Sequence, residues 1–175
     1  MKKAHIEVVL LALVAGLAGL MFMRPIWDID IFWHIATGRW IAENGAIPTT
    51  DILGLDPERP WFTFQWGYEW LMYQTEVRGG MLAIRLMHGA VMAAAFALLY
   101  RTYRRELKSD GVPWGALALL LFTLMAFQDR INVRPHVFNL LGLALLLPVM
   151  LGGWRTLAAA TWIGLAVWMF VWANL

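Results

Sequence analysis

Residues 5–23 read HIEVVLLALVAGLAGLMFM, and residues 24–40, directly after them, read RPIWDIDIFWHIATGRW. The first stretch is apolar for almost its whole length and matches the roughly twenty residues needed to cross a hydrocarbon layer about 30 Å thick. Backbone groups in hydrocarbon must be satisfied within their own segment, so such a run reads as a helix. The second stretch places Asp28, Asp30, His34 and the indoles of Trp27, Trp33 and Trp40 where that helix should end. The fold turns on the first stretch and the function on the second.

The rest of the composition agrees with the first. Of 175 residues, 61% are hydrophobic and 15% charged, and the mean hydropathy is +0.61. Soluble domains run near 45–50% apolar and about a quarter charged. These values imply an all-α integral membrane protein. The chain contains no cysteine, which excludes disulfides, thiolate zinc sites and thiol catalysis and fits a bacterial inner membrane. The net charge of +2 is spread among the loops, so no nucleic-acid-binding stripe can be drawn.

Further apolar runs at 81–103, 112–128, 136–151 and 157–175 bring the expectation to about five spans in a polytopic bundle, a single membrane domain over 1–175. The first run follows Met1-Lys-Lys without a small-x-small cleavage site, so it reads as an uncleaved span. If the spans alternate, Lys2, Lys3, the cluster Arg101, Arg104, Arg105 and Lys108, and Arg155 share one side. The positive-inside rule assigns that side, with the amino terminus, to the cytoplasm. Residues 24–80 then form a long outer loop, too long to be a passive turn. Within it, Asp30 can cap a helix over 31–43 that Asn44-Gly45 stops, and Pro48, Pro57 and Pro60 keep 46–60 irregular. A second helix over 64–77 ends at Gly79-Gly80, and its Trp66, Tyr68, Trp70 and Tyr73 suit the headgroup boundary, so the loop should carry interfacial amphipathic helices lying along the membrane.

Asp30 and His34 are four residues apart and stack on one helix face, continued by Thr37 and Gly38, with Asp28 just before them. A carboxylate at the membrane boundary can act as general base or hold a divalent cation, and a neighbouring imidazole can orient it or relay a proton. On spacing alone the better description is an N-cap acid with an i,i+4 partner at a helix start that its dipole favours. A second polar cluster runs from Gln128 to His136. Its Arg130, Arg134 and His136 fall on the outer side against the orientation bias. Guanidinium forks match phosphate oxygens, so these residues are candidates for a lipid phosphate or pyrophosphate. The alternative is a turn in which Arg130 pairs with Asp129 or with an acid of the long loop. Arg85 and His88 lie inside the second span, where an ionisable group is a functional candidate, although Arg85 is close enough to the outer end to snorkel. Asp51 could turn back toward Asp30. No Walker loop, HExxH, GxSxG or haem motif is present.

The pattern Asp28-x-Asp30-x-x-Trp33-His34-x-x-x-Gly38-x-x-Ile41-x-x-x-Gly45-x-x-Pro48-x-x-Asp51, set directly after a first span, resembles the first outer loop of GT-C-type membrane glycosyltransferases. That superfamily includes oligosaccharyltransferase catalytic subunits and protein O-mannosyltransferases. It looks most similar to bacterial multi-pass relatives in which an aromatic stretch, here Pro60-Trp61 to Trp70, and a later Arg134-Pro-His-Val-Phe138 follow. The resemblance covers Arg24 to Leu175, with fewer spans than the superfamily core. It implies transfer of a sugar from a polyprenyl-phosphate donor on the extracytoplasmic face, by a glycosyltransferase or its amino-terminal module. Asp30, with Asp28 second, would be catalytic base or ligand to a divalent metal such as Mg or Mn, and His34 joins them as a catalytic candidate. The competing expectation is a non-catalytic transmembrane subunit of a larger membrane complex, packed against lipids and partner subunits.

Overall fold

The computed structural model describes residues 2–54, 56, 58–107, 114–128, 132–152 and 158–175. Among these residues the regular structure is helical: α1 (Lys2–Leu20), α2 (Asp30–Asn44), α3 (Trp66–Leu107), α4 (Trp114–Phe127), α5 (His136–Gly152) and α6 (Ala159–Ala173), with a 3-10 turn at Met21–Met23. The chain is therefore all-α, as its composition implies. By length and composition, two helices are long and apolar enough to cross a membrane, His5–Met23 and Trp66–Glu106. The apolar helices Trp114–Ala126, His136–Gly152 and Ala159–Ala173 are shorter. They fall at or below the lower end of the 17–25 residues usual for a span.

Contacts divide the chain into two compact units. One comprises Met1–Pro25, Leu86–Asn132 and His136–Thr156. In it α1 packs on the later part of α3. Gly19 and Gly89 meet where side chains could not: a Cβ on Gly89 would lie 2.8 Å from the Gly19 carbonyl oxygen, and one on Gly19 would lie 3.1 Å from that of Gly89. Such close backbone approach at small residues is how helices associate in lipid. Fifteen residues further along α3, Arg104 clamps Glu7 of α1 with Nη2 at 2.6 Å and Nε at 3.1 Å. Because Glu7 meets Arg104 and Gly19 meets Gly89, the two segments run antiparallel. The core adds Phe96 and Leu99 of α3, Ala116 and Leu120 of α4, and Val137 and Leu140 of α5.

The other unit comprises Ile26–Arg85, Val133–Pro135 and Leu157–Leu175. Here α2 buries Ile31, Ile35 and Ile41 and packs on the first part of α3 through Gly38. A Cβ there would collide with the Glu69 carbonyl and lie 2.9 Å from the Tyr73 Cβ. Gly45 ends α2 in the left-handed conformation, φ 63°, its N–H donating to the Ile41 carbonyl, as the Asn44-Gly45 pair leads one to expect. The start of α2 differs from expectation. Asp30 is the first helical residue rather than the cap, and its N–H donates to Asp28 Oδ1 at 3.1 Å. An Asx turn two residues upstream thus takes over the role assigned to Asp30.

The described residues between Gly45 and Gln65 are irregular but tied. The isolated bridge Thr50–Pro60 is flanked by Asp51 N–H to Arg59 O and Trp61 N–H to Thr49 O, both 2.9 Å. The Thr63 hydroxyl donates to Pro48 O at 3.2 Å. Helix α3 begins at Trp66, and its early Tyr68 N–H is satisfied by the Asn174 carbonyl at 3.1 Å. That carbonyl sits over Gly67, where a Cβ would come within 2.7 Å of it. Gly79 and Gly80 interrupt α3, the latter at φ 61°, ψ −160°, a conformation essentially reserved for glycine. The loop helix therefore ends at this glycine pair, as expected, and a second helical segment continues from Met81. No residue of α6 is buried.

Candidate functional site

Asp28, Asp30 and Arg134, all in the second unit, meet at the start of α2. Arg134 Nε donates to Asp28 Oδ2. Its Nη2 donates to Asp28 Oδ1 at 3.0 Å and to Asp30 Oδ2 at 2.7 Å. One guanidinium therefore grips one carboxylate with a fork and touches a second, the geometry that arginine's planar donors favour. No hydrogen bond involves its Nη1 among the described residues.

The two acids are not equivalent. The Asp28 side chain is 10% exposed and that of Asp30 38%. Asp28 accepts from Arg134 twice and from the Asp30 amide. The hydrogen bond from Arg134 holds its carboxyl below the usual carboxylate range, against the upward push of burial, with the Asp30 amide and the charges of Arg134 and His34 adding to the lowering. The bond to Asp28 in turn raises the Arg134 guanidinium further above its ordinary value. The pair is thus locked in its charged form.

The structure brings together Asp28, Asp30 and Arg134 of the residues singled out from sequence, and it is Arg134 that pairs with the acids of the long loop. Arg130 and Asp129 lie outside the described residues. His136 opens α5 in the first unit. His34 is 3% exposed and turns toward α3 rather than toward Asp30: its Nδ1 lies 3.5 Å from Glu69 Oε1 and 3.4 Å from Gln65 Nε2. Trp33 and the edge of Tyr68 flank its ring. Glu69 was legible only as one loop carboxylate among several. It is 1% exposed, and its Oε2 is buried without a hydrogen-bond partner among the described residues, which is rare for such an atom. His88 is fully buried in the first unit, its ring beside Phe22 and Phe138.

A divalent cation at Asp30 meets a poor donor set. The Arg134 cation already bridges the two carboxylates, and among the described residues no three His, Asp or Glu side chains gather as metal ligands. A Mg or Mn ion, which one or two carboxylates can hold together with waters and substrate phosphates, would compete with Arg134 for the Asp28 and Asp30 oxygens.

Asp51 does not reach back to Asp30 by any hydrogen bond among the described residues. Its Oδ1 accepts from the Leu53 and Gly54 amides at 3.1 and 2.7 Å. With Trp33, Thr37, Gly54 and Trp61 it lines a cavity of about 320 Å³. Around the acid pair the surface is apolar: Trp27 is 88% exposed, Ile29 78% and Phe32 64%. The chain matches no protein-family model, no curated protein and no solved structure.

Proposed function

We propose that this chain is an integral membrane glycosyltransferase of the GT-C type, or the amino-terminal module of one, with about five spans and a cytoplasmic amino terminus in a bacterial inner membrane. It transfers a sugar from a polyprenyl phosphate at the extracytoplasmic face. The observation that carries this reading is the asymmetry of the acid pair. Asp28 is 10% exposed and accepts three hydrogen bonds, whereas Asp30 shares the same guanidinium and is 38% exposed. The exposed Trp27, Ile29 and Phe32 around them suit a headgroup boundary, where a lipid-linked donor presents its phosphate.

In this mechanism Asp30 takes the proton of an acceptor hydroxyl. The freed oxygen attacks the anomeric carbon of the sugar, and the bond from that carbon to the phosphate oxygen breaks with its electron pair going to the phosphate. Arg134 Nη1 faces the leaving phosphate and stabilises the charge it gains, while Asp28 holds the guanidinium in place. Asp28 is a positioning residue. The alternative, a non-catalytic subunit of a membrane complex, is favoured by α6, which has no buried residue and exposes Trp162, Ile163, Val167 and Phe170.

Transfer of radiolabelled hexose from polyprenyl-phosphate hexose in proteoliposomes tests the reading. Asp30→Asn should lower kcat by about 10²–10⁴-fold, the usual contribution of a general base. Asp28→Asn keeps an acceptor for the Asp30 amide and should lower kcat less. Turnover indifferent to Asp30→Asn rejects the mechanism.

A further inference from the structure

The cavity beside Trp33 has the makings of a site of its own. Its floor is α2: Trp33 and Thr37 are four residues apart on one face, and Asp30 lies three residues before Trp33 on the same stripe, about 4.5 Å back along the axis. Its walls are the tied loop. The hydrogen bonds from Asp51 N–H to Arg59 O and from Trp61 N–H to Thr49 O hold Asp51 and Trp61 on paired strands of chain. Gly54 allows Asp51 to fold over it, since a Cβ there would lie 2.6 Å from the Asp51 Cγ. The Asp51 carboxylate spends Oδ1 on two loop amides and leaves Oδ2 with no hydrogen bond among the described residues. At about 320 Å³ the cavity falls within the range of small-molecule sites.

Thr37 decides what chemistry fits. Thr75, Thr102 and Thr123 all fold their hydroxyls back onto the carbonyl four residues earlier in their helices. Thr37 makes no such bond and no other among the described residues, though it is 2% exposed and lines the cavity. Two indoles and a carboxylate would also suit a small organic cation, but a quaternary ammonium group can neither donate to nor accept from the Thr37 hydroxyl. A neutral polyol uses all three: its C–H faces lie on indoles, its hydroxyls donate to Asp51, and its oxygens accept from Thr37.

We infer that the cavity formed by Trp33, Thr37, Asp51 and Trp61 binds a single pyranose ring, the glycosyl group of the substrate, with its reacting end toward Asp30. The inference deepens the transfer reading and rests on it for the identity of the ligand. Saturation-transfer NMR on the full chain in lipid nanodiscs, with methyl glucoside, galactoside and mannoside as probes and choline as the cationic control, tests it. Saturation should pass to the pyranose C–H protons of at least one glycoside. It should fall about tenfold in Trp61→Ala, the loss of one stacked contact. Trp61→Phe should retain it in part. Asp51→Asn, which keeps the Oδ1 acceptor for the loop amides, should reduce it as well, and Asp30→Asn should leave it in place. No transfer to any glycoside, transfer unchanged in Trp61→Ala and Asp51→Asn, or Trp61-dependent transfer to choline alone overturns the inference. Loss of the pocket with Asp30-dependent turnover intact leaves the transfer mechanism standing. Glycoside binding in a protein whose turnover ignores Asp30→Asn keeps the pocket and removes the mechanism.

Discussion

Arg134 is the residue on which the site depends, because its removal leaves Asp28 nearly enclosed beside a second carboxylate. Arg134→Met should destabilise the protein by on the order of 1–2 kcal/mol in thermal unfolding, less than the loss of a wholly buried partner because Arg134 and Asp30 keep contact with water. The pH dependence has a definite sign. Folding lowers the Asp28 carboxyl below its ordinary 3.8, so the folded state binds its proton less readily than the unfolded chain. The stabilisation is therefore complete above about pH 4 and drains as pH falls through the lower folded value. Unfolding midpoints measured from pH 7 to 3 should show this acid-side decline in wild type and a weaker one in Arg134→Met, where its main cause is gone. Asp28 and Asp30 are legible in sequence because they are neighbours in a polar island after an apolar run. Arg134 lies 104 residues from Asp30, so charge and side could nominate it but not choose between a phosphate and these acids. Glu69 gave no signal, since a carboxylate paired with a buried histidine looks in sequence like any other.

The elements repeat the pattern: local chemistry was readable, and contacts between helices were not. The α2 stop at Gly45 and the break at Gly79-Gly80 follow from glycine's access to positive φ. The start of α2 was read one residue late, with Asp30 as its cap, because Asp28 and Asp30 both suit that role, and only the pairing of the Asp30 amide with the Asp28 carboxylate separates them. Gly38 appeared merely as part of a helix face, yet it is where α2 touches the α3 backbone. Gly38→Ala should cost about 1–3 kcal/mol by overpacking against Glu69 and Tyr73 and weaken transfer, because the same contact seats the helix that carries Asp30. Gly16→Ala, with nothing within 4 Å of the added Cβ, should leave stability unchanged or raise it by up to about 1 kcal/mol. Equal effects of the two substitutions, read by thermal unfolding in the same nanodiscs, would contradict this packing.

At the scale of the molecule, composition alone made an all-helical chain expected, and two helices have the length and apolarity of spans. The antiparallel run of α1 against the later part of α3, pinned by Glu7–Arg104 near one end and Gly19–Gly89 near the other, is the arrangement two successive crossings require. The shorter apolar helices could not be ranked from sequence, because length is the only signal that separates a span from a helix packed within protein. The central claim is that the acid pair stands at the outer face while the Arg104–Arg105 end of α3 stays in the cytoplasm. The chain has no cysteine of its own, so a single introduced one reports unambiguously. Ile29→Cys, at a position 78% exposed, should react in intact cells with a membrane-impermeant maleimide, and Arg105→Cys, 70% exposed, should react only after lysis. Labelling of position 105 in intact cells with position 29 protected, or of both from one side, would contradict the account.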